Sequence, residues 1–284
     1  MAVGKDTLFD RFLAPIFRNL IDRDAIDAYY HSRDWEQASE QFRNPQIDYP
    51  DYYRSQNFHG IKGGYLSLSA ALSYDPIVQY VLPPGEAIVR SALIDRVTSQ
   101  PRRILDLGCG TGSTTLKLKQ AFPQAEVVGL DLSPYMLVVA ADKAQSASLD
   151  ISLTQGLAEA TPFPPNSFDL ITATLLFHEI PPAIVPDILR ECFRLLRSGG
   201  EIIILDGNQS VLRSTPWLME IFEEPYIKAF AQNSLDADLS ASGFGAVETE
   251  SIWLIHQITR GVKPIVGRVK FEAIETAGNA WAMG

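Results

Sequence analysis

The chain has 284 residues, 46% of them apolar and 20% charged, and carries a formal net charge of −10. That length suffices for one full hydrophobic core, or for one domain with an elaborated end. The acidic balance, without any long Lys/Arg block, argues against nucleic acid, which demands a basic stripe, and favours a small neutral or cationic ligand.

No apolar run reaches about 18 residues, so no transmembrane segment is expected. The start, "MAVGKDTLFDRFLAP", carries Asp6 and Asp10 and lacks the apolar region of a signal peptide. Cys109 and Cys192 do not make a disulfide framework, so a reducing, cytoplasmic location is expected.

Residues 1–85 are rich in aromatics, as in "AYYHSRDW" and "DYPDYYRSQNFHGIKGGYLS", and show little periodicity. They read as an N-terminal cap or lid; the plainer alternative is a packed structural extension. "GEAIVRSALIDRV" predicts a helix. "RRILDLGC" (102–109) then reads as a buried strand and "TGSTTLKLKQAF" as a helix. "AEVVGLDLS" (125–133) is a second strand, and Ser133-Pro134 starts the next helix, with Ser as N-cap and Pro in its first turn. "ISLTQG" is a third strand and "FDLITATLLF" (168–177) a fourth. "AIVPDILRECFRLLR" predicts a helix with Pro186 near its first turn, ended by Ser198-Gly199-Gly200. "EIIILDG" (201–207) is a fifth strand. "GFGAVETESIWLIHQITR" reads as two further strands, a hairpin, and residues 263–284 as a tail. There is no internal repeat.

Strands that are apolar on both faces and alternate with helices imply a Rossmann-like α/β fold, with a parallel sheet covered on both sides. Such sheets bind ligands at the carboxyl ends of their strands. The last residues of each strand are therefore the informative ones.

The first strand runs into Asp106-Leu107-Gly108-Cys109-Gly110-Thr111-Gly112. A dinucleotide fingerprint would place its third glycine at Ser113, and an acid before the loop would repel pyrophosphate. A buried carboxylate needs a cationic or hydrogen-bonding partner. A ligand with an ammonium or sulfonium group supplies one, and the glycines let it lie against bare backbone. Asp131 ends the second strand, where an acid accepts hydrogen bonds from ribose hydroxyls. An amino-acid cation beside one strand and a ribose beside the next describe S-adenosylmethionine. The plainer alternatives are a helix-capping Asp106 and a surface-turn Asp131. Cys109 reads as a small buried loop residue rather than a nucleophile.

"ILDLGCGTG", "VVGLDLS", "FDLITATLLFHEIP" and "LLRSGGEIIILDG" resemble the successive motifs of class I S-adenosylmethionine-dependent methyltransferases, in particular the ubiquinone/menaquinone-biosynthesis type. The resemblance covers about residues 100–260; by it the catalytic domain is set at 86–262. It implies a seven-stranded sheet whose last strand runs antiparallel. It also implies that Asp106 and the loop of Gly108, Cys109, Gly110 and Gly112 face the methionine part of the cofactor. Asp131 would hold the ribose, and Leu132 would lie beside the adenine. "QGLAEATPF" departs from the family at Leu157, where an Asp commonly takes the adenine amino group. Glu159, or backbone near Leu157 and Ala158, would take over.

The fourth strand leads into His178 and Glu179, near the methyl to be transferred. Methyl transfer needs alignment and exclusion of water, and a phenol or enol acceptor gains from a base. His178 is the candidate base, with Glu179 as its orienter or alternative. The plainer alternative leaves His178 bonding backbone or lining the cofactor site. His31, His59 and His256 read as structural. Tyr29, Tyr30, Trp35, Tyr52, Tyr53 and Phe58 are candidates to wall an apolar acceptor pocket; Phe222, Tyr226 and Phe230, at helical spacing, read as one helix's buried face, with another wall of the pocket as the alternative. No metal-ligand spacing is visible, so no metal is expected.

The leading expectation is methyl transfer to oxygen or carbon of a small lipophilic or phenolic metabolite. The alternatives are a protein or peptide methyltransferase and a non-catalytic S-adenosylmethionine-binding module. The sequence leaves homo-oligomerisation open.

Overall fold

The computed structural model describes residues 22–58, 61, 63–81 and 84–265. In chain order, α1 (Arg23–Tyr30), α2 (Trp35–Glu40), α3 (Asp51–Arg54), a 3-10 turn (Gly64–Leu66) and α4 (Leu68–Val81) precede α5 (Glu86–Ile94). Then follow β1 (Arg103–Leu107), α6 (Ser113–Ala121), β2 (Glu126–Asp131), α7 (Pro134–Ser146), β3 (Ser152–Gln155) and β4 (Phe168–Thr174). A 3-10 turn (Phe177–Glu179) leads to α8 (Val185–Leu195) and β5 (Leu196–Gly207). Four short helices come next, α9 (Gln209–Ser214), α10 (Pro216–Phe222), α11 (Ile227–Gln232) and α12 (Leu235–Ala241), before β6 (Gly245–Ile252) and β7 (His256–Val262).

The seven strands form one sheet in the order β3-β2-β1-β4-β5-β7-β6. β1 pairs in parallel with both β2 and β4, and Leu105 sits opposite Val128 on one side and Ile171 on the other. β7 runs antiparallel to β5 and to β6. This is the seven-stranded, mostly parallel Rossmann-like sheet expected, with the hairpin at its edge. Strand order reverses at β1, so a crevice opens at the carboxyl ends of β1, β2 and β4.

Alternate residues of the same strands feed two cores. Leu105, Leu107, Val128, Ile171, Ile202 and Ile204 face Ile188, Leu189 and Cys192 of α8. Ile104, Val127, Leu170, Ile203 and Leu205 face Val89 and Leu93 of α5 and Leu118 of α6. Burying each such aliphatic side chain contributes about 1.5–3 kcal/mol, which is why both faces are covered by helices.

A third cluster joins Trp35, Phe58, Tyr65 and Leu72 of the first segment to Met136, Val138 and Val139 of α7. Polar ties reinforce it: the Tyr29 hydroxyl and Arg33 both donate to Asp142 of α7, and the Asn44 N–H donates to Gln155 of β3 at 2.6 Å. The aromatic segment therefore lies over α7 and the edge of β3.

Several local expectations meet the structure directly. Ser133 caps α7 by accepting from the Met136 N–H, and Pro134 and Pro186 sit in the first turns of their helices. Three need correction. β4 ends at Thr174, because Leu175 takes a left-handed φ of 57° and the chain turns into a 3-10 helix. Ser198-Gly199-Gly200 does not end a helix; α8 stops at Leu195, and these residues lie within β5, where Leu196 pairs with Phe168 across a register shift. Phe222, Tyr226 and Phe230 do not share one helix: Glu223, with a φ of 51°, breaks it into α10 and α11.

Candidate functional site

The crevice at the carboxyl ends of β1, β2 and β4 is lined by Gly108, Gly110, Asp131, Leu132, Leu157, Ala158 and Glu159, and beyond them by Thr174, Leu175, Leu176, Glu179 and Ile180. Tyr52, Tyr53, Tyr65 and Tyr74 of the N-terminal segment roof it. It thus brings together most of the residues picked from strand ends, and closes over them with two of the aromatics, Tyr52 and Tyr53, picked as candidate walls.

At one end lies Asp131. Its Oδ1 accepts the Ser133 N–H and its Oδ2 the Gly110 N–H, both at 2.8 Å. Burial pushes its carboxyl up to about 6, against those backbone donors, which pull it down. Two fixed donors orient the group while each oxygen keeps a lone pair. A Cβ added at Gly110 would meet nothing, so the bare backbone there leaves open space. Also in the crevice, Glu159 accepts the Tyr52 hydroxyl through Oε1 at 2.8 Å, and its Oε2 is buried without a hydrogen-bond partner. A buried carboxylate oxygen of this kind calls for a donor from a bound molecule. The Asp131–Glu159 pair can accept from the hydroxyl and amino groups of a nucleoside, with Leu132, Met136 and Leu157 as apolar walls.

Three residues of the glycine loop region do not line the crevice. Asp106 is 1% exposed and turned into the protein, where its carboxylate accepts the hydroxyls of Thr115 at 2.6 Å and Thr172 at 2.9 Å. Burial raises its carboxyl and the two hydroxyls pull it back down. The partner that a buried acid requires is supplied by the protein itself. The Cys109 Sγ packs where a Gly129 side chain would stand, and burial raises its thiol well above the usual range, so it is the buried loop residue expected. Gly112 has a φ of 78°, and a Cβ there would come within 2.9 Å of the Ala140 Cβ; it allows α6 and α7 to approach.

At the other end lies the 3-10 turn of His178 and Glu179. The His178 Nδ1 is 2.7 Å from Asp206 Oδ1, and its Nε2 is 3.8 Å from Glu179 Oε1. Asp206 is fully buried at the end of β5; its Oδ2 accepts the N–H of Phe177 at 2.8 Å and its Oδ1 that of Gly207 at 2.7 Å. Glu224, between α10 and α11, joins His178 and Glu179, the ligating atoms of all three lying within 4.8 Å of one another. Phe230 packs edge-on against the imidazole, with ring centroids 6.3 Å apart.

Burial alone would lower the His178 imidazole, but the carboxylates of Asp206, Glu179 and Glu224 outweigh it and raise it to about 10. These neighbouring carboxylates favour the protonated imidazole. That arrangement speaks against the free base expected of it. It also moves the orienting role from Glu179 to Asp206, and leaves Glu179 as the member of the pair that lines the crevice.

The other expected residues fall elsewhere. Trp35, Phe58 and Tyr29 belong to the core between the N-terminal segment and α7, and Tyr30 is largely exposed. His31 is an exposed residue at the end of α1, and His59 lies outside the described residues. His256 lies buried in β7, where burial lowers it to about 4. Residues missed in the sequence are Asp206, Glu224, Tyr65 and Tyr74. A signal existed for Asp206, the acid near the end of "EIIILDG" that matches Asp106 and Asp131 in placement. The three others sit in segments without periodicity.

Residues 104–200 match a family model described as a methyltransferase domain. A demethylmenaquinone methyltransferase of Thermus thermophilus is 41% identical over 106 residues, which cover 37% of this chain and 47% of that protein. A ubiquinone/menaquinone biosynthesis C-methyltransferase of Dinoroseobacter shibae is 36% identical over 144 residues, 50% of this chain and 57% of the relative. The chain thus spans about half the length of the curated relatives it matches. Among solved structures, a putative S-adenosyl-L-methionine-dependent methyltransferase from Methanococcus maripaludis aligns with a TM-score of 0.57 at 22% identity, over 72% of this chain and 96% of that one. A phosphoethanolamine N-methyltransferase of Haemonchus contortus, in complex with phosphomonomethylethanolamine and S-adenosylhomocysteine, aligns with a TM-score of 0.54 at 17% identity, over 74% of this chain and 61% of that one. At these identities the two structures speak for the fold. Residues 104–200 thus match a methyltransferase domain, and the sheet built around them has the fold of the two solved structures.

Proposed function

We propose that this chain transfers the methyl group of S-adenosylmethionine to oxygen or carbon of a small lipophilic acceptor of the quinol or phenol kind. The observation that carries the reading is one crevice with two chemically different ends: hydrogen-bond acceptors at Asp131 and Glu159, and the polar cluster around Glu179 and His178, joined by bare glycine backbone. The names of the curated relatives, demethylmenaquinone and ubiquinone/menaquinone methyltransferases, support an acceptor of this class.

In this reading Gly108 and Gly110 carry the methionine part against their backbone. Asp131 accepts the ribose hydroxyls, Leu132, Leu157 and Ala158 flank the adenine, and Glu159 Oε2 takes its amino group in place of the Asp missing at 157. The bound cofactor supplies a methyl already activated by the sulfonium. The chain's own work is to align the acceptor and exclude water. The four roofing tyrosines do the second. Glu179 faces the acceptor, and His178, held by Asp206, stands behind it.

In this reading the described part of residues 1–85 serves as the cap and 86–262 as the catalytic domain; 1–21 and 266–284 lie outside the described residues. Among those described, no helix is long and apolar enough to cross a membrane.

The test is methyl-labelled S-adenosylmethionine incubated with the protein and a reduced demethyl-naphthoquinol, read by mass spectrometry. Label on the ring carbon or its oxygen supports the reading. Confirmed cofactor binding without label transfer to this acceptor class rejects it.

A further inference from the structure

We propose that His178, Glu179 and Glu224 form a binding site for one divalent first-row metal ion, with Asp206 orienting His178 from behind. Three potential ligands of metal-binding type converge here, buried, at the end of the crevice away from Asp131. One imidazole nitrogen and two carboxylates are a donor set suited to zinc, iron, manganese or cobalt.

The second observation is the other face of the imidazole. A histidine that ligates a metal through Nε2 nearly always gives its Nδ1–H to a carboxylate or carbonyl, which sets the tautomer and aims the lone pair. The Asp206 carboxylate stands 2.7 Å from His178 Nδ1. Asp206 is pinned in turn by the N–H groups of Phe177 and Gly207, so it is held where it can direct Nε2 toward Glu179 and Glu224.

The distances suit closure around an ion. Ligands about 2.1 Å from a tetrahedral metal stand about 3.4 Å apart. His178 Nε2 and Glu179 Oε1 are 3.8 Å apart, and no pair in the set exceeds 4.8 Å. Small rotations of two glutamate side chains bridge the difference. The cation would take the place of the Nε2 proton, as ligation requires.

Both segments that bring the ligands also carry a left-handed non-glycine residue just before them, Leu175 (φ 57°) ahead of His178 and Glu223 (φ 51°) ahead of Glu224. Such conformations persist only where the surrounding structure requires them. Three protein ligands leave a coordination position open. Because Glu179 lines the crevice, an ion held by it would stand near the place where an acceptor would sit. This last step rests on the function proposed above; the metal site does not.

Purified full-length protein is stripped with a chelator, dialysed, and titrated with Co²⁺, reading the visible d–d absorption, and with Zn²⁺ by calorimetry. One equivalent should bind, and Co²⁺ should develop ligand-field bands. Glu179→Gln and Glu224→Gln should each weaken binding by at least the ~10–100-fold lost when an outer partner of a metal ligand is removed. The exposed Glu248→Gln should bind as the parent does. Absence of one-equivalent binding in the folded parent overturns the site. So do parent-like bands and affinity in Glu179→Gln and Glu224→Gln. Circular dichroism reports which variants fold, and His178→Asn replaces any that does not. Metal binding without methyl transfer to a quinol would uphold the site while rejecting the proposed acceptor.

Discussion

Asp206 holds His178 from inside the protein: its Oδ1 is 2.7 Å from the imidazole Nδ1, although 28 positions separate the two residues in the chain. The strand that ends in Asp206 and the turn that carries His178 are neighbours because β4 and β5 pair in parallel. Asp206→Asn keeps the shape but presents an amide to Nδ1 and disturbs the tautomer. Turnover should fall by about 10–100-fold, the range for losing such an orienting carboxylate. Affinity for S-adenosylhomocysteine, measured by calorimetry, should stay as in the parent, since Asp206 lies at the other end. Equal loss of both would mean that Asp206 serves the fold alone.

Asp131→Ala should weaken S-adenosylhomocysteine binding by about 1–3 kcal/mol, the cost of leaving hydroxyls without their acceptor. The parent protein carries its own version of this experiment. The Asp131 carboxyl is raised to about 6. Above that pH it is ionised and accepts at full strength; as pH falls through about 6 it takes up a proton and loses acceptor capacity. Affinity should therefore be flat above neutrality and decline below pH 6, approaching about 1.4 kcal/mol per pH unit if only the ionised form binds. A profile level down to pH 5 would remove Asp131 from the site.

Glu159→Gln tests the replacement for the acid absent at 157. The buried Oε2 has no hydrogen-bond partner in the protein, and Tyr52 occupies Oε1. An amide nitrogen at either place would meet a donor instead of an acceptor. Binding should weaken by about 1–3 kcal/mol, and less for adenine analogues lacking the amino group. Equal weakening for both ligands would place Glu159 elsewhere than at the adenine.

Asp106→Ala separates fold from binding. It leaves the hydroxyls of Thr115 and Thr172 without their shared acceptor and opens a small cavity between α6, β1 and β4. Stability toward urea should drop by about 1–3 kcal/mol, while the folded fraction binds S-adenosylhomocysteine as before. A stable variant without binding would return Asp106 to the cofactor face.

Gly110→Ala and Gly112→Ala should differ in the same way. Both glycines have positive φ, so both variants bear backbone strain. At Gly112 the new methyl also meets Ala140 at 2.9 Å, whereas at Gly110 it meets only open crevice. Thermal unfolding should show the larger loss for Gly112→Ala, and calorimetry the larger loss of ligand affinity for Gly110→Ala.

The sequence by itself determined the sheet. Runs such as Ile104-Leu105 and Ile202-Ile203-Ile204-Leu205 are apolar at consecutive positions, so they must be buried on both faces, and the helices between the strands supply the cover. Ser133-Pro134 and Pro186 mark helix starts through local backbone chemistry that needs no distant partner. Asp131 was legible for the same reason: a polar residue ending a buried strand has to lie at the sheet's rim.

What only the tertiary structure decided is which way side chains turn and what they meet. Asp106 and Asp131 stand near the ends of adjacent strands, Asp106 last but one in β1 and Asp131 last in β2, yet Asp106 finds two hydroxyls inside the protein while Asp131 faces the crevice. His178 read as a base until Asp206, Glu179 and Glu224 were brought around it from separate elements. The tyrosine roof comes from a segment without periodicity, placed by packing against α7. Burial, charge proximity and hydrogen-bond pairing depend on distances between residues far apart in the chain, and those distances are set by strand pairing and helix packing, not by local spacing.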